Sequence, residues 1–514
     1  MNVAVSEIGH DRLRPIGLRW RGMPMALDLR NPSRAWLVIS LVGMLLIGMV
    51  AAPAALLAAD AEATGTEPTE AAAETAEAEV AAPDRSVLAP DIFLVMIDDH
   101  GYIADERVLR RLPTVTEKFL DGGLRFNQIY DETPLCCPAR ATVLSGQHTL
   151  HHGVTSNQGP DLDTAVTIAT ALDDVGYHTI HAGKFMTSYK GPTVPPGWDR
   201  VLMRENFSEP RFYVEGELTS FAGMHQDEVV SDFAAEWLRE APVDEPVFAH
   251  ITPGAPHRAQ CSGQGKSVRI RPCDFMPLVI ESDVDAEACI GIPRYKPPDY
   301  ELSPTKYGST KRQFAPWAMP PWPKGWPMGT ICESLLVVDR MVDELMTIQA
   351  DRDRPAYWFF FSDNGMSWGR KAFPLKHAPT ATRLPFYVAG PGVAAGADET
   401  LLSNIDLAPT ITAIAGTELE IADGASFLPL LDGEEFAGRA EVLETMPGSK
   451  GRAYDPWSGL RTPEWRYIRW DDGRQELYDL VNDPDELKNL ARKHDDRVER
   501  MDERLDELLA QSRG

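Results

Sequence analysis

From residue 91 onward the apolar and polar positions fall into two alternating textures. Short continuous apolar runs, as in strands buried on both faces, alternate with stretches whose apolar positions recur every three to four residues, as on one face of a helix. Residues 92–97 form one such run and end at Asp98-Asp99. Residues 247–251 form a second, followed by a Pro/Gly turn that leads to His257, and residues 357–361 a third, ending at Ser362-Asp363-Asn364-Gly365. Between the last two, Thr330 and Glu333 have the spacing of a capping box, and Leu335, Val338, Met341, Val342, Leu345 and Ile348 follow at helical spacing. The alternation predicts an α/β fold with a mostly parallel central sheet flanked by helices. Sheets of that kind bind ligands outside the carboxyl ends of their strands. Three strands ending in Asp-Asp, a loop histidine and Asp-Asn therefore mark a candidate site.

Near residue 432 the texture changes. Residues 465–470 and 476–480 read as strands joined through Asp472-Gly473, a hairpin turn signal. Asn482-Asp483-Pro484-Asp485 then reads as the start of a helix striped by Val498, Met501, Leu505 and Leu508. The expected organisation is a catalytic domain over 91–432 and a small C-terminal α+β subdomain over 433–514. Upstream, Arg12, Arg14, Arg19, Arg21, Arg30 and Arg34 precede an apolar run from Ala35 to about Ala59. Residues 1–59 thus read as a signal peptide or, because the run is long enough to span a bilayer, a retained anchor. Either way the rest of the chain is expected to be exported, secreted or tethered to the outer face of the cytoplasmic membrane. Residues 60–90, rich in Ala, Glu and Thr, lack the large apolar side chains a core needs and read as a disordered tether.

Composition changes this picture in two ways. The 514-residue chain carries a formal net charge of −27, which argues against a nucleic-acid partner but leaves room for a basic pocket that takes a small anion. There are 6 cysteines. In an exported chain a pair among Cys261, Cys273 and Cys289 could bridge, whereas Cys332 reads as a core-facing helix residue. The adjacent Cys136 and Cys137 are poorly explained by packing alone. Pro138 suits the first turn of a helix that would run to Leu144 and stop near Gly146. Cys136 would then lie just before a helix N-terminus, where free N–H groups favour anions, with Arg140 one turn on and on the same face.

The run Cys136-Cys137-Pro138-Ala139-Arg140, followed by a small apolar helix and glycine, resembles the signature of the formylglycine-dependent (type I) sulfatases. The resemblance extends over nearly all of 91–514, and Cys-Cys-Pro, Gly-Lys-Phe and the Pro195–Trp198 segment lean toward the N-acetylglucosamine-6-sulfatase and heparan-sulfatase branch. It implies an alkaline-phosphatase-like fold and hydrolysis of sulfate monoesters, with sulfated carbohydrate as the expected substrate class. Cys136 would be oxidised by a formylglycine-generating maturation enzyme to 3-oxoalanine (formylglycine), whose hydrated aldehyde attacks sulfur. Asp98, Asp99, Asp363 and Asn364, with position 136, would hold a divalent metal; hard oxygen ligands suit Ca²⁺ or Mg²⁺ and not zinc. Arg140 would stabilise charge, and Lys184, in Gly176-Tyr177-His178-Thr179 through Gly183-Lys184, would contact sulfate. His257, in Ala255-Pro256-His257, would bind a sulfate oxygen or protonate the leaving alcohol, a role Lys376 also fits. His152 resembles a histidine at the family's pocket edge.

Three departures stand out. Met186 and Ser367 occupy positions that are often histidine in the family, and the stretch after Lys376 is shorter than the family pattern. Two further readings stay open on the same residues: a phosphonate or phosphate ester hydrolase, and a catalytically inactive binding homologue. Trp317, Trp322 and Trp326, set among prolines, either form a sugar-stacking rim or stiffen a long loop.

Overall fold

The computed structural model describes residues 88–514 except 159–161, 188–191, 206–208, 259–267, 270–275, 301–321, 372, 374 and 449–454. The N-terminal segment, almost all of the expected tether, Cys261, Cys273 and Trp317 lie outside the described residues.

Ten strands make the central sheet. In chain order they are β1 (Asp91–Ile97), β2 (Leu124–Phe126), β3 (His178–Gly183), β4 (Arg200–Arg204), β5 (Arg211–Val214), β6 (Glu217–Ser220), β7 (Val247–Thr252), β8 (Ala356–Ser362), β9 (Phe386–Ala389) and β10 (Gly396–Asp398). Their spatial order is β10-β2-β9-β8-β1-β7-β3-β4-β5-β6. From β8 through β4 every neighbouring pair is parallel. Antiparallel pairs border this block on each side, and the β10–β2 edge pair is again parallel. The expected mostly parallel sheet is present, with its parallel part in the middle.

The main helices are α1 (Cys136–Ser145), α2 (Gln226–Glu240), α3 (Met328–Ala350) and α4 (Asp495–Gln511). They explain why β1 is apolar throughout. Phe93, Val95 and Ile97 face a core shared with Trp237 of α2 and Val338, Met341 and Val342 of α3. Ile92, Leu94 and Met96 face a second core with Cys137, Ala141 and Leu144 of α1. A central strand covered on both faces has no polar side to alternate with.

Two element starts differ from the sequence reading. α3 begins at Met328, right after Pro327, so Thr330 and Glu333 lie inside it and make no capping box. The Glu333 carboxylate instead accepts the Asp285 N–H at 3.0 Å, tying the helix to the preceding segment. The same seam carries a disulfide between Cys289 and Cys332, with Cα atoms 5.6 Å apart. Cys332 is thus not a plain core residue, and Cys289 is not available to Cys261 or Cys273. At the C-terminus, α4 starts at Asp495 and not at Asn482. Asp483 closes a turn by accepting the N–H groups of Leu487 and Lys488, which spends its side chain on a loop.

The C-terminal strands β11 (Val442–Met446), β12 (Trp457–Arg461), β13 (Trp465–Trp470) and β14 (Gln475–Asp479) form an antiparallel sheet in chain order. The β13–β14 hairpin matches the sequence reading, with Gly473 at φ 87° in its turn. One face is covered by Val498, Met501 and Leu505 of α4. The other packs Met446, Trp457, Ile468 and Trp470 against Leu135, the residue before Cys136. Buried Arg466 holds this joint: it pairs with Glu444 at 2.8 Å and Glu486 at 2.9 Å and donates to the Pro379 carbonyl. We expect Arg466→Met, which leaves buried Glu444 and Glu486 to share Arg461 as their remaining arginine, to cost about 3 kcal/mol of stability. A urea titration checks this, and an unchanged midpoint would contradict it.

Candidate active site

Because β8, β1, β7, β3 and β4 are parallel neighbours, their carboxyl ends lie along one edge of the sheet. Each delivers a polar side chain there. β1 leads into Asp98 and Asp99, β8 into Asp363 and Asn364, β3 into Lys184, and β7 into the loop of His257, while β4 ends on Arg204. Asp99 has φ 67°, a left-handed turn uncommon for a residue with a side chain. The bend follows directly on β1 and helps to set the two adjacent carboxylates at one spot. At Gly183 an added Cβ would come within 2.1 Å of the Thr252 carbonyl oxygen, so only glycine lets β3 pass β7 this closely on its way to Lys184. The His257 loop is fixed by Asp227 in the first turn of α2, which accepts the N–H groups of Gly254 and Ala255 at 2.6 and 3.0 Å.

α1 brings the remaining group. It opens at Cys136, with extended Leu135 as its N-cap, and stops on left-handed Gly146 as the sequence reading expects. Cys136 is therefore the first helical residue, one position further in than expected. The Cys136 Sγ lies 3.8 Å from Asp98 Oδ1, 4.0 Å from Asp99 Oδ1 and 2.8 Å from Lys376 Nζ. Lys184 pairs with Asp98 at 2.5 Å and lies 3.7 Å from Asp363. Lys376 pairs with Asp99 and lies 3.2 Å from Asn364 Oδ1. Arg140, fully buried, donates Nε–H to Asp363 at 2.9 Å and Nη1–H to the Lys184 carbonyl. Among the described residues nothing accepts a hydrogen bond from its Nη2.

Electrostatics follow from this packing. Burial pushes the carboxyls of Asp98 and Asp99 up, but it is outweighed. Lys184 beside Asp98 and Lys376 beside Asp99, with His257 near both, hold them well below the usual carboxylate range. Burial pushes the Cys136 thiol up to about 12 despite the two lysines. Burial also pulls His257 down to about 4, against the pull of Asp98 and Asp99. Its Nδ1 hydrogen-bonds the Arg258 carbonyl at 2.8 Å, so the ring turns Nε2 toward Asp99, 3.4 Å away.

Asp98, Asp99, Cys136 and His257 each offer one ligand atom within 4.8 Å of the others. Beside this group, Asp363 Oδ1 accepts the Asp99 N–H at 3.1 Å, and Asn364 Nδ2 donates to Asp99 Oδ1 at 2.8 Å. Carboxylate oxygens gathered in a buried pocket fit a hard divalent cation.

All nine residues singled out as catalytic or metal-binding in the sequence thus meet at one place. Three others do not. His152 has both ring nitrogens engaged, by the Thr142 hydroxyl at 3.0 Å and the Val154 N–H at 3.1 Å, and braces the end of α1. Met186 is buried in the apolar core, and the Ser367 hydroxyl bonds Thr380 at 2.8 Å. Trp326 is buried and packs edge-on against Trp322 and Trp368, the arrangement of a stiffened loop. Two groups escaped the sequence reading. Arg204 Nη2 stands 3.6 Å from Asp98, and Asn157 accepts the Cys137 N–H at 2.9 Å. The only sequence signal for Arg204 is a basic residue closing a short apolar run; Asn157 has none.

Comparison with known proteins gives the family and the fold. The Sulfatase family model matches residues 90–417, and the model of the N-sulphoglucosamine sulphohydrolase C-terminal region matches 376–513. Human N-acetylglucosamine-6-sulfatase is 26% identical over 473 residues, covering 78% of this chain and 81% of that protein. The extracellular sulfatase SULF-1 homolog of Drosophila melanogaster is 25% identical over 410 residues, 70% of this chain but only 34% of that longer protein. A solved structure in complex with its substrate, D-glucosamine-2-N,6-O-disulfate, superposes with TM-score 0.66 at 19% identity, over 82% of this chain and 98% of that one. A phosphonate monoester hydrolase from Silicibacter pomeroyi superposes with TM-score 0.61 at 18% identity, over 82% and 96%.

The raised thiol has a direct consequence. In metal-free protein made without the maturation enzyme, Cys136 should stay neutral and resist iodoacetamide at pH 8, reacting only on unfolding. Labelling of the folded protein at the rate of an ordinary exposed thiol would contradict the burial argument.

Proposed function

On the premise that the chain belongs to the sulfatase family and is a sulfuric ester hydrolase, we propose that it cleaves sulfate monoesters of glucosamine-type sugars with a nucleophile made from Cys136. The observation that carries this reading is the crowd around one sulfur atom: a carboxylate pair, a lysine at 2.8 Å and a buried helix N-terminus. A thiol pushed up to about 12 is a poor nucleophile there, which favours Cys136 as a precursor. Once oxidised to formylglycine by the maturation enzyme, position 136 would supply a hydrated aldehyde oxygen in place of sulfur. A Ca²⁺ or Mg²⁺ ion held by Asp98, Asp99, Asp363 and Asn364 would supply positive charge for the sulfate oxygens.

The chain's own residues divide the remaining work. Lys184, charged and paired to Asp98, is set to meet a non-bridging sulfate oxygen. Arg140 holds Asp363 and the Lys184 backbone in register and keeps Nη2 as a further donor. Such preorganised cations act where charge accumulates during reaction. His257 keeps its proton on Nδ1 for the Arg258 carbonyl, so it presents a lone pair and not an acid to the site. That leaves Lys376, whose ammonium stands beside Asp99 and Asn364 in the same site, to give a proton to the departing alcohol.

The substrate class rests on the likeness to N-acetylglucosamine-6-sulfatase and to the structure holding a sulfated glucosamine. Export is supported by the Arg-rich start and by the Cys289–Cys332 disulfide, a bond of oxidising compartments. Among the described residues no helix is long and apolar enough to cross a membrane, and the apolar run 35–59 lies outside them. We therefore keep a secreted or membrane-tethered protein as our reading, with 433–514 as a C-terminal subdomain.

Protein co-produced with the maturation enzyme should release sulfate from glucosamine 6-sulfate much faster than it hydrolyses an aryl phosphonate. Lys184→Ala should lower kcat by about 10²–10³. Preference for the phosphonate would point to the phosphonate hydrolase reading, and no turnover of any ester by fully matured protein to a binding homologue.

A further inference from the structure

Lys376 sits on the long connection between β8 and β9, and the grip on that connection comes from the C-terminal sheet. Trp457 on β12, almost fully buried, donates its Nε1–H to the carbonyl of His377 at 3.0 Å. His377 has φ 75°, a left-handed backbone that a residue with a Cβ adopts at a cost. The joint next to Lys376 therefore needs an outside tie to keep its shape. Further along, Arg466 donates to the Pro379 carbonyl. Ahead of it, Lys371 reaches the Tyr478 hydroxyl at 2.7 Å.

The same sheet also holds the approach to position 136. Leu135 packs in one apolar cluster with Trp457, Met446, Ile468 and Trp470. The Thr445 N–H donates to the Glu132 carbonyl at 2.6 Å, and the hydroxyls of Thr445 and Thr133 lie 3.0 Å apart. One side chain, Trp457, belongs to both attachments: it shares the apolar cluster of the residue before Cys136 and bonds the residue after Lys376. The chain neighbours of both members of the 2.8 Å Lys376 Nζ–Cys136 Sγ pair are thus linked to one buried indole.

We infer that Trp457 is a positioning residue that fixes Lys376 against position 136 for transfer of a proton to the leaving alcohol. The inference rests on the proposed role of Lys376. An alkoxide leaving from a sugar needs that proton, whereas an acidic phenol departs without it. Misplacing the ammonium by a fraction of an ångström should therefore slow sugar sulfates selectively, and a general weakening of the fold should not.

The test compares matured Trp457→Phe, Lys376→Ala and the double variant on glucosamine 6-sulfate and on 4-nitrophenyl sulfate, with rates referred to formylglycine content measured by mass. Phenylalanine keeps most of the apolar packing and removes the N–H. Expected for Trp457→Phe is a drop in kcat of about tenfold on the sugar sulfate. Its KM, and its kcat on the aryl ester, should stay within about twofold of the parent. The double variant should be no slower than Lys376→Ala. Should Trp457→Phe not fold, Trp457→Tyr, whose ring fills the same cluster but carries no N–H at the indole position, should give the same selective loss. Equal losses on the two esters, or losses that multiply in the double variant, would overturn the inference. If Lys376→Ala itself slows both esters equally, the fault lies in the leaving-group role, and the inference falls with it.

Discussion

Carboxylates at the ends of neighbouring parallel strands, held out of water, repel one another and lose solvation, so the site stands only if cations stand with it. Asp98, Asp99 and Asp363 are each essentially buried, and each meets a positive side chain from a different part of the chain. Lys184 arrives from the next-but-one strand, Arg140 from α1, and Lys376 from the loop after β8. Buried pairs of this kind gain little stability net of desolvation, but removing one partner leaves an uncompensated charge. That asymmetry makes the whole edge of the sheet interdependent. The groups that balance the charges in the folded protein are the same groups we propose surround a sulfate ester.

This explains how much of the site could be read from sequence. Asp98-Asp99 and Asp363-Asn364 close apolar runs, and Cys136 opens a helix announced by Pro138, so local pattern carries their positions. Lys184 and His257 follow from short turns after strands. Lys376 was the weakest of the set because it hangs on a loop whose shape is decided 80 or more residues later, by contacts such as Trp457 to His377. Arg204 was missed for a related reason: one basic residue ending a short run carries no sign of the partner it will meet. The capping box at Thr330 and the helix start at Asn482 failed through local competition. Pro327 starts α3 sooner, and Asp483 spends its side chain on its own turn. The Cys289–Cys332 bond escaped because pairing needs the docking of a short turn on a helix, which spacing alone does not reveal.

The C-terminal sheet is then more than an appendage to the parallel one. Its outer face is closed by α4, and its inner face meets Leu135 and the Lys376 loop through a cluster of tryptophans and a buried Arg466 network. Leu135 and the Lys376 loop are therefore both attached to elements that follow the catalytic strands in the chain. The arrangement ties the candidate site at the edge of one sheet to a second sheet of the same compact unit.

The central claim is that position 136 acts only once it has ceased to be a cysteine. Preparations matured to different extents, each assayed for sulfate release and for aldehyde at position 136, address it most directly. Activity should rise in proportion to aldehyde content and extrapolate to zero at none. Full activity in protein whose Cys136 thiol is intact would contradict it.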